Sequence, residues 1–357
     1  MKLSLRTSVY CPCSFPKLLN SSAFSNLCRP ICSIAPQSPP ITLKPQIPLF
    51  LRPPIYSTKL SDLKKWQDWA KNVASSVGST FVESDNGPDS SILCRELKWL
   101  MEDAVVEQDD ERVRMRAGIE ELYCLWKERI QERRPFQYIV GCEHWRDLVL
   151  SVQEGVLIPR PETEHVVDMV NGVVSKNEDL RGGVWADLGT GSGALAIGIG
   201  RILEDRGRVI ATDLSPVAVA VAAYNVKRYC LQDKIEIREG SWFEPLKGME
   251  GELAGLISNP PYIPSKDISG LQAEVGRHEP RLALDGGTYG MEALLHLCDG
   301  AALMLKPGGF FAFETNGEQQ CRDLVEYMEN NRSGSFCNVE IRADFAGIQR
   351  FVIGFHQ

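Results

Sequence analysis

The stretch Val184-Trp-Ala-Asp-Leu-Gly-Thr-Gly-Ser-Gly193, with Arg208-Val-Ile-Ala-Thr-Asp213 after it, decides how the chain is read. A short apolar run ends in a glycine loop, a helical segment follows, and a second apolar run ends in a carboxylate. That is the opening of a strand-helix-strand crossover. Working outward, short apolar strands are expected at 184–188, 208–212, 234–238, 254–258 and 310–314. Helical segments follow most of them, at 194–203, 216–229, 291–305 and 318–328. This alternation specifies an α/β fold with a doubly wound, mostly parallel sheet. The tail, with 337–342 and 350–355 around Ala346-Gly347, suits an antiparallel C-terminal pair. No internal repeat is visible.

Gly189, Gly191 and Gly193 allow a tight turn and a close approach of backbone to a ligand. Their spacing is GxGxG, not the GxGxxG of dinucleotide sites, and no Lys-Ser/Thr pair closes a phosphate loop. Asp213 lies 24 residues beyond Gly189, where a ribose diol would sit and where a carboxylate accepts from both hydroxyls. A nucleoside cofactor without a required pyrophosphate fits: S-adenosylmethionine first, NAD a distant second.

Asn259-Pro-Pro-Tyr262 follows the apolar run 253–258 directly. Two prolines stiffen the backbone, Asn259 offers an acceptor and a donor, and Tyr262 an aromatic face. The carbonyls of Pro260 and Pro261 remain acceptors. Such a cup suits a planar NH2 conjugated to a π system, either an amide or the exocyclic amine of a base.

Upstream, 62–134 reads as a helical bundle with no strand. Leu63, Trp66, Ala70, Val73 and Val77 recur at helical spacing after a cap at Ser61. Asn86-Gly87-Pro88 breaks the chain, and Asp89 or Ser90 caps a second helix through Leu93, Leu97 and Leu100. A third helix is expected over 110–133, with Leu122, Leu125, Trp126 and Ile130 inward, until Pro135 stops it. The tryptophans are read as core. From 136 to 158 the pattern turns to strands: Leu148, Leu150 and Val152 alternate, Glu154-Gly155 turns, and Val156-Leu157-Ile158 returns as a hairpin. Arg160-Pro-Glu-Thr-Glu164 opens the next helix.

Charge is divided unevenly along the 357 residues. Residues 1–61 carry seven basic residues, ten serines and no Asp or Glu, the composition of an organelle transit peptide; only three arginines favour the chloroplast over the mitochondrion. The remainder holds 32 basic and 47 acidic residues, net −15, a poor match for nucleic-acid phosphates. No apolar run of eighteen or more residues exists, so no membrane span is expected. The seven cysteines beyond residue 61 form no CxxC pair, and the five histidines are scattered, so neither disulfides nor a metal site is expected. Ser192 lacks the GxSxG spacing of a hydrolase elbow.

Pro135-Phe-Gln-Tyr-Ile-Val-Gly141, Val156-Leu-Ile-Pro-Arg-Pro-Glu-Thr-Glu164, Asn259-Pro-Pro-Tyr262, Glu279-Pro-Arg-Leu-Ala-Leu-Asp-Gly-Gly287 and Leu305-Lys-Pro-Gly-Gly309 occur in the order found in one family. From Asp62 to His356 the chain resembles the peptide-chain release factor N5-glutamine methyltransferases, of the class I, Rossmann-like, S-adenosylmethionine-dependent fold. The disordered transit peptide 1–61, read from composition, lies outside the resemblance, which implies three parts: a substrate-recognising helical domain 62–134, a β-hairpin linker 135–160 and the methyltransferase domain 161–357. By position it places Gly189, Thr190, Gly191, Ser192 and Gly193 at the cofactor's methionine part, Asp213 at its ribose and Trp242 at its adenine. Asn259, Pro260, Pro261 and Tyr262 would hold the substrate, with Asn259, Pro260 and Tyr262 catalytic and Asn259 also beside the cofactor. Arg160 and Glu162 would shape the entrance. Tyr289 stands where the family usually has an acid. The implied reaction is methylation of the glutamine of a Gly-Gly-Gln motif in an organellar release factor, supporting translation termination, by a monomer. N6-methylation of adenine in DNA or RNA is the alternative, and an adaptor that has lost catalysis the third.

Overall fold

The structure is a computed structural model, and it describes residues 44–357. The transit peptide expected over 1–61 lies outside the described residues up to position 43. Its last part does not: Leu49 is fully buried, and Tyr56–Lys59 is a strand, β1. Pro48 there, at φ −49° and ψ 139°, leads into the short turn Leu49–Leu51 rather than excluding order.

The N-terminal unit is helical but not purely so. Helices Leu60–Ser76, Ser90–Ala104 and Ile119–Lys127 pack around Leu63, Trp66, Leu97, Leu100 and Trp126, and the Trp126 indole donates to Ala70 O at 3.0 Å. Asp89 caps the second of them, accepting from Ile92 N at 2.9 Å. Beside them β1, β2 (Val105–Gln108) and β3 (Arg112–Met115) form an antiparallel sheet in the order β1-β3-β2. The expected helix over 110–133 is thus corrected to a strand, a helix and a π-turn, Glu128–Glu132. The physical reason is Asp109, whose Oδ1 accepts from Glu111 N and Arg112 N at 2.8 and 2.6 Å. That closes a hairpin turn, and Val113 and Met115 then point inward with arginines between them.

The linker also differs from expectation. Phe136–Val140 is a short helix, and the hairpin pairs β4 (Cys142–Trp145) with β5 (Leu148–Ser151) through Arg146-Asp147. Glu154-Gly155 does turn the chain, but Val156–Ile158 is not a strand. Arg146 holds a φ of +52° because Glu164 Oε1 accepts its N–H at 2.9 Å and Glu164 O accepts its guanidinium. A tertiary contact, not a turn residue, makes this hairpin. Its Trp145, Leu148 and Leu150 join the core around the helix Glu164–Val174, which begins after Thr163 rather than at Pro161.

The C-terminal unit is a seven-stranded sheet of β6 (Val184–Leu188), β7 (Arg208–Asp213), β8 (Ile235–Glu239), β9 (Leu253–Ser258), β10 (Leu305–Glu314), β11 (Phe336–Ala343) and β12 (Gln349–His356). Its order is β11-β12-β10-β9-β6-β7-β8. Strands β6 to β10 are parallel, and β12 runs antiparallel between β10 and β11. Strand order reverses at β6, between β7 and β9, which opens a crevice at their carboxyl ends.

The two units meet on buried charge. Arg129 donates to both oxygens of Glu96 (2.7 and 3.1 Å) and to Glu274 Oε1 (2.9 Å). Arg133 forks onto Glu274 at 2.7 and 2.6 Å and reaches Asp85 at 2.9 Å. Glu274 belongs to the segment that follows Asn259-Pro-Pro-Tyr262, so the helical unit is tied to one wall of the crevice.

Candidate active site

The crevice holds a cavity of about 400 Å³, lined among others by Gly189 to Ser192, Asp213, Trp242, Asn259 and Pro261. The glycine loop is pinned from below. Gly189 N and Thr190 N both donate to Thr212 O at 2.9 Å, and Gly191 N donates to Asp213 Oδ2 at 2.9 Å. Gly189 and Gly191 have φ of +73° and +56°, and a Cβ on either would meet nothing within 4 Å. Backbone therefore faces open space there, as a ligand's close approach requires. Asn225 braces the other side, donating to Ser192 O (2.9 Å) and Ser151 O (3.0 Å).

Two carboxylates serve this loop. Asp213 accepts from Ser215 N (2.8 Å) as well as Gly191 N, and burial raises its pKa; free lone pairs remain on each oxygen. Asp187 is buried, with Oδ2 accepting from Thr190 Oγ1 (2.6 Å) and Ala196 N (3.0 Å) and Oδ1 without a partner. Burial, and then the Asp213 charge, push Asp187 up to about 7. A ligand with a ribose diol and an ammonium group fits these acceptors: hydroxyls to Asp213, a cation to restore the Asp187 charge. Trp242, at φ +46°, lines the cavity, with the His296 ring centroid 6.1 Å from its own.

At the end of β9, Asn259 Nδ2 donates to Thr163 Oγ1 at 3.1 Å. Asn259 and Pro261 form cavity wall; Pro260 is buried and Tyr262 stands behind. The Tyr262 hydroxyl donates to Glu314 Oε1 (3.1 Å), and its carbonyl accepts from Gln320 Nε2 (2.8 Å). Burial and the Glu314 charge hold its pKa well above the usual phenol range. Arg160 lines the cavity and donates to Glu279 Oε1 at 2.6 Å, and Glu279 Oε2 accepts from Ile158 N. Tyr289 is largely exposed on the loop after Asp285.

Sequence reading passed over Asp187, Thr163 and Glu314 as site residues. Asp187 and Thr163 lay inside quoted motifs, and Glu314 ends the apolar run Phe310-Phe-Ala-Phe-Glu314 at the same sheet edge, which was its signal. Among the described residues no cluster of three or more His, Cys, Asp or Glu could hold a metal, and no helix is long and apolar enough to cross a membrane. The seven described cysteines form no disulfide with one another.

The methyltransferase small domain family matches residues 169–275. A release factor glutamine methyltransferase of Thermosynechococcus vestitus is 35% identical over 299 residues, 82% of this chain and 97% of that one. The protein of the same name from Gloeobacter violaceus is 40% identical over 266 residues, 73% of this chain and 90% of its own. Among solved structures, a SAM-dependent O-methyltransferase from Thermotoga maritima covers 73% of this chain and 81% of its own at 12% identity and a TM-score of 0.39.

Proposed function

The chain belongs to the release factor glutamine methyltransferase family, an enzyme that uses S-adenosylmethionine, and from that premise we propose N5-methylation of the glutamine in a Gly-Gly-Gln motif of an organellar release factor. The observation that carries this reading is the orientation of Asn259. Its Nδ2 is committed to Thr163, so its Oδ1 is the end left to accept an N–H in the cavity, beside the glycine loop.

When bound, S-adenosylmethionine supplies a methyl group on a sulfonium, an electrophile that needs no metal. The residues of this chain do the rest. An amide nitrogen is a poor nucleophile because its lone pair is delocalised into the carbonyl. Asn259 Oδ1 accepting one N–H, with the Pro260 carbonyl as a second acceptor, favours the positive charge that develops on that nitrogen. Pro260 and Pro261 fix the acceptors in place, and alignment contributes through proximity. No strong base is required, since the amide proton leaves readily once the nitrogen is charged. Asp213 and Asp187 would hold the ribose and the ammonium, and Trp242 would flank the adenine.

The experiment is methyl transfer from labelled cofactor to a release factor, to its Gln→Ala variant and to an adenine oligonucleotide. Transfer to the first alone supports the reading; transfer to the oligonucleotide alone replaces it with adenine methylation; no transfer with intact cofactor binding points to an adaptor. An Asn259→Ala variant is expected to lose about 10³-fold in kcat with cofactor affinity kept. Targeting to the plastid is supported by the acid-free, serine-rich stretch at the N-terminus, and a fluorescent fusion accumulating in mitochondria instead would overturn it.

A further inference from the structure

A carboxamide has the same outline either way round, so what lies behind Asn259 decides whether oxygen or nitrogen faces the substrate. Behind it runs a single file. Asn259 Nδ2 donates to Thr163 Oγ1 (3.1 Å), Thr163 Oγ1 donates to Glu314 Oε2 (2.6 Å), and the Tyr262 hydroxyl donates to Glu314 Oε1 (3.1 Å). A threonine hydroxyl has one proton. An ionised carboxylate can only accept, so Thr163 must give that proton to Glu314 and must accept from Asn259. The direction of each bond therefore propagates from Glu314 to the cavity. Thr163 and Glu314 are 4% and 1% exposed, so water does not substitute for either.

We propose that Thr163 and Glu314 are positioning residues for methyl transfer: ionised Glu314 polarises the file so that Asn259 presents its oxygen, and a proton on Glu314 lets the file reverse. In the reversed file the protonated carboxyl donates to Thr163, Thr163 donates to Asn259 Oδ1, and the Asn259 NH2 faces the substrate amide. Two N–H groups then oppose one another, and the Pro260 carbonyl is the one acceptor left for the amide. The proposal rests on the role given to Asn259 above.

The groups around Glu314 make the reversal accessible. Burial and the Glu162 carboxylate disfavour its charge, while Thr163, Tyr262 and the Arg350 guanidinium favour it; together they leave it raised to about 7. Arg350 is shared with Asp344, to which it donates at 2.9 Å. Cys321, bonded to the neighbouring Thr315, is a buried thiol with its pKa raised, so it adds no charge. Above neutrality the file points the productive way; below it, the productive orientation is lost.

The test uses the full chain with Thr163→Val, Thr163→Ser and Glu314→Gln. Thr163→Val should lower kcat by about 100-fold while KM for the release factor and the affinity for S-adenosylhomocysteine move by less than about 3-fold, and Thr163→Ser should restore most of kcat. Glu314→Gln should remove the acid limb of the kcat–pH profile. A readout without substrate is the side-chain NH2 signal of Asn259 in ¹⁵N-asparagine-labelled protein, identified by its loss in Asn259→Asp. It should titrate near pH 7 in the wild type and stay flat in Glu314→Gln. Wild-type kcat in Thr163→Val, an acid limb retained in Glu314→Gln, or a flat wild-type NH2 signal would each overturn the proposal. Failure of the wild type to methylate any release factor would instead overturn the functional reading, and the NH2 titration would still decide the relay.

Discussion

The molecule contains two buried polar networks, and they are built on opposite terms. At the junction of the two units, Arg129 and Arg133 meet Glu96, Glu274 and Asp85, so each carboxylate faces a guanidinium. Burial alone would pull Arg129 down, but Glu96 and Glu274 hold it above its usual value. Behind the cavity wall, Asp187 and Glu314 are as deeply buried but have hydroxyls and, for Asp187, a backbone N–H for partners, and both rise to about 7. The first network is closed and fixes an interface. The second keeps charge unsettled, and unsettled charge is what a cationic ligand or a proton can act upon.

The largest way to break this contrast is to open the closed network. Glu274→Ala leaves Arg129 with Glu96 alone and Arg133 with Asp85 alone, two buried guanidiniums each short of a carboxylate, and should cost about 3–5 kcal/mol in urea unfolding, with cofactor affinity preserved in the fraction still folded. A loss under 1 kcal/mol would mean that water already reaches these charges. Next comes Asp187→Asn, which should leave the fold intact and weaken S-adenosylhomocysteine binding about 50-fold in calorimetry. Unchanged affinity would remove Asp187 from the cofactor's reach.

Glu143 sharpens the contrast further, since burial raises it to about 7 in the β4–β5 hairpin, outside both networks. Its folded value exceeds its unfolded one, so the native state keeps its proton longer; the stabilisation is complete below the unfolded value and is lost as pH rises through 7. Glu143→Gln should therefore stabilise the fold by about 1–2 kcal/mol at pH 8 and not at pH 4. Equal stability at both would show that Gln137 and the His144 N–H satisfy the anion fully. The smallest effect belongs to Gly189→Ala. The new Cβ meets no protein atom, so unfolding should register only the strain of φ +73°, about 1 kcal/mol. A larger loss would show that the loop tolerates less than its open surroundings imply.

The sheet and most of the site could be read from the chain because their signals are local. Each parallel strand is an apolar run, and Gly189, Asp213 and Asn259 follow such runs directly at their carboxyl ends. The N-terminal sheet could not, since its strands are four residues long and one starts within the stretch taken for a leader. The β4–β5 hairpin escaped because Arg146 has no preference for the positive φ it adopts and depends on Glu164, eighteen positions away. Thr163 and Glu314 are ordinary residues in sequence. Their pairing spans 151 positions and exists only once β10 lies in the sheet beside β9.

The segment before the first helix has a practical consequence for handling the protein. Gln46 exchanges bonds with Gln153, Tyr138 and Ser151, and β1 covers one side of β3. An expression boundary or protease cut at residue 61 would remove all of these and bare the N–H and C=O row of β3. β3, with Val113 and Met115 buried, would then be the sheet's edge in place of the short, exposed β1, so such a fragment is expected to associate more readily than one beginning at residue 44.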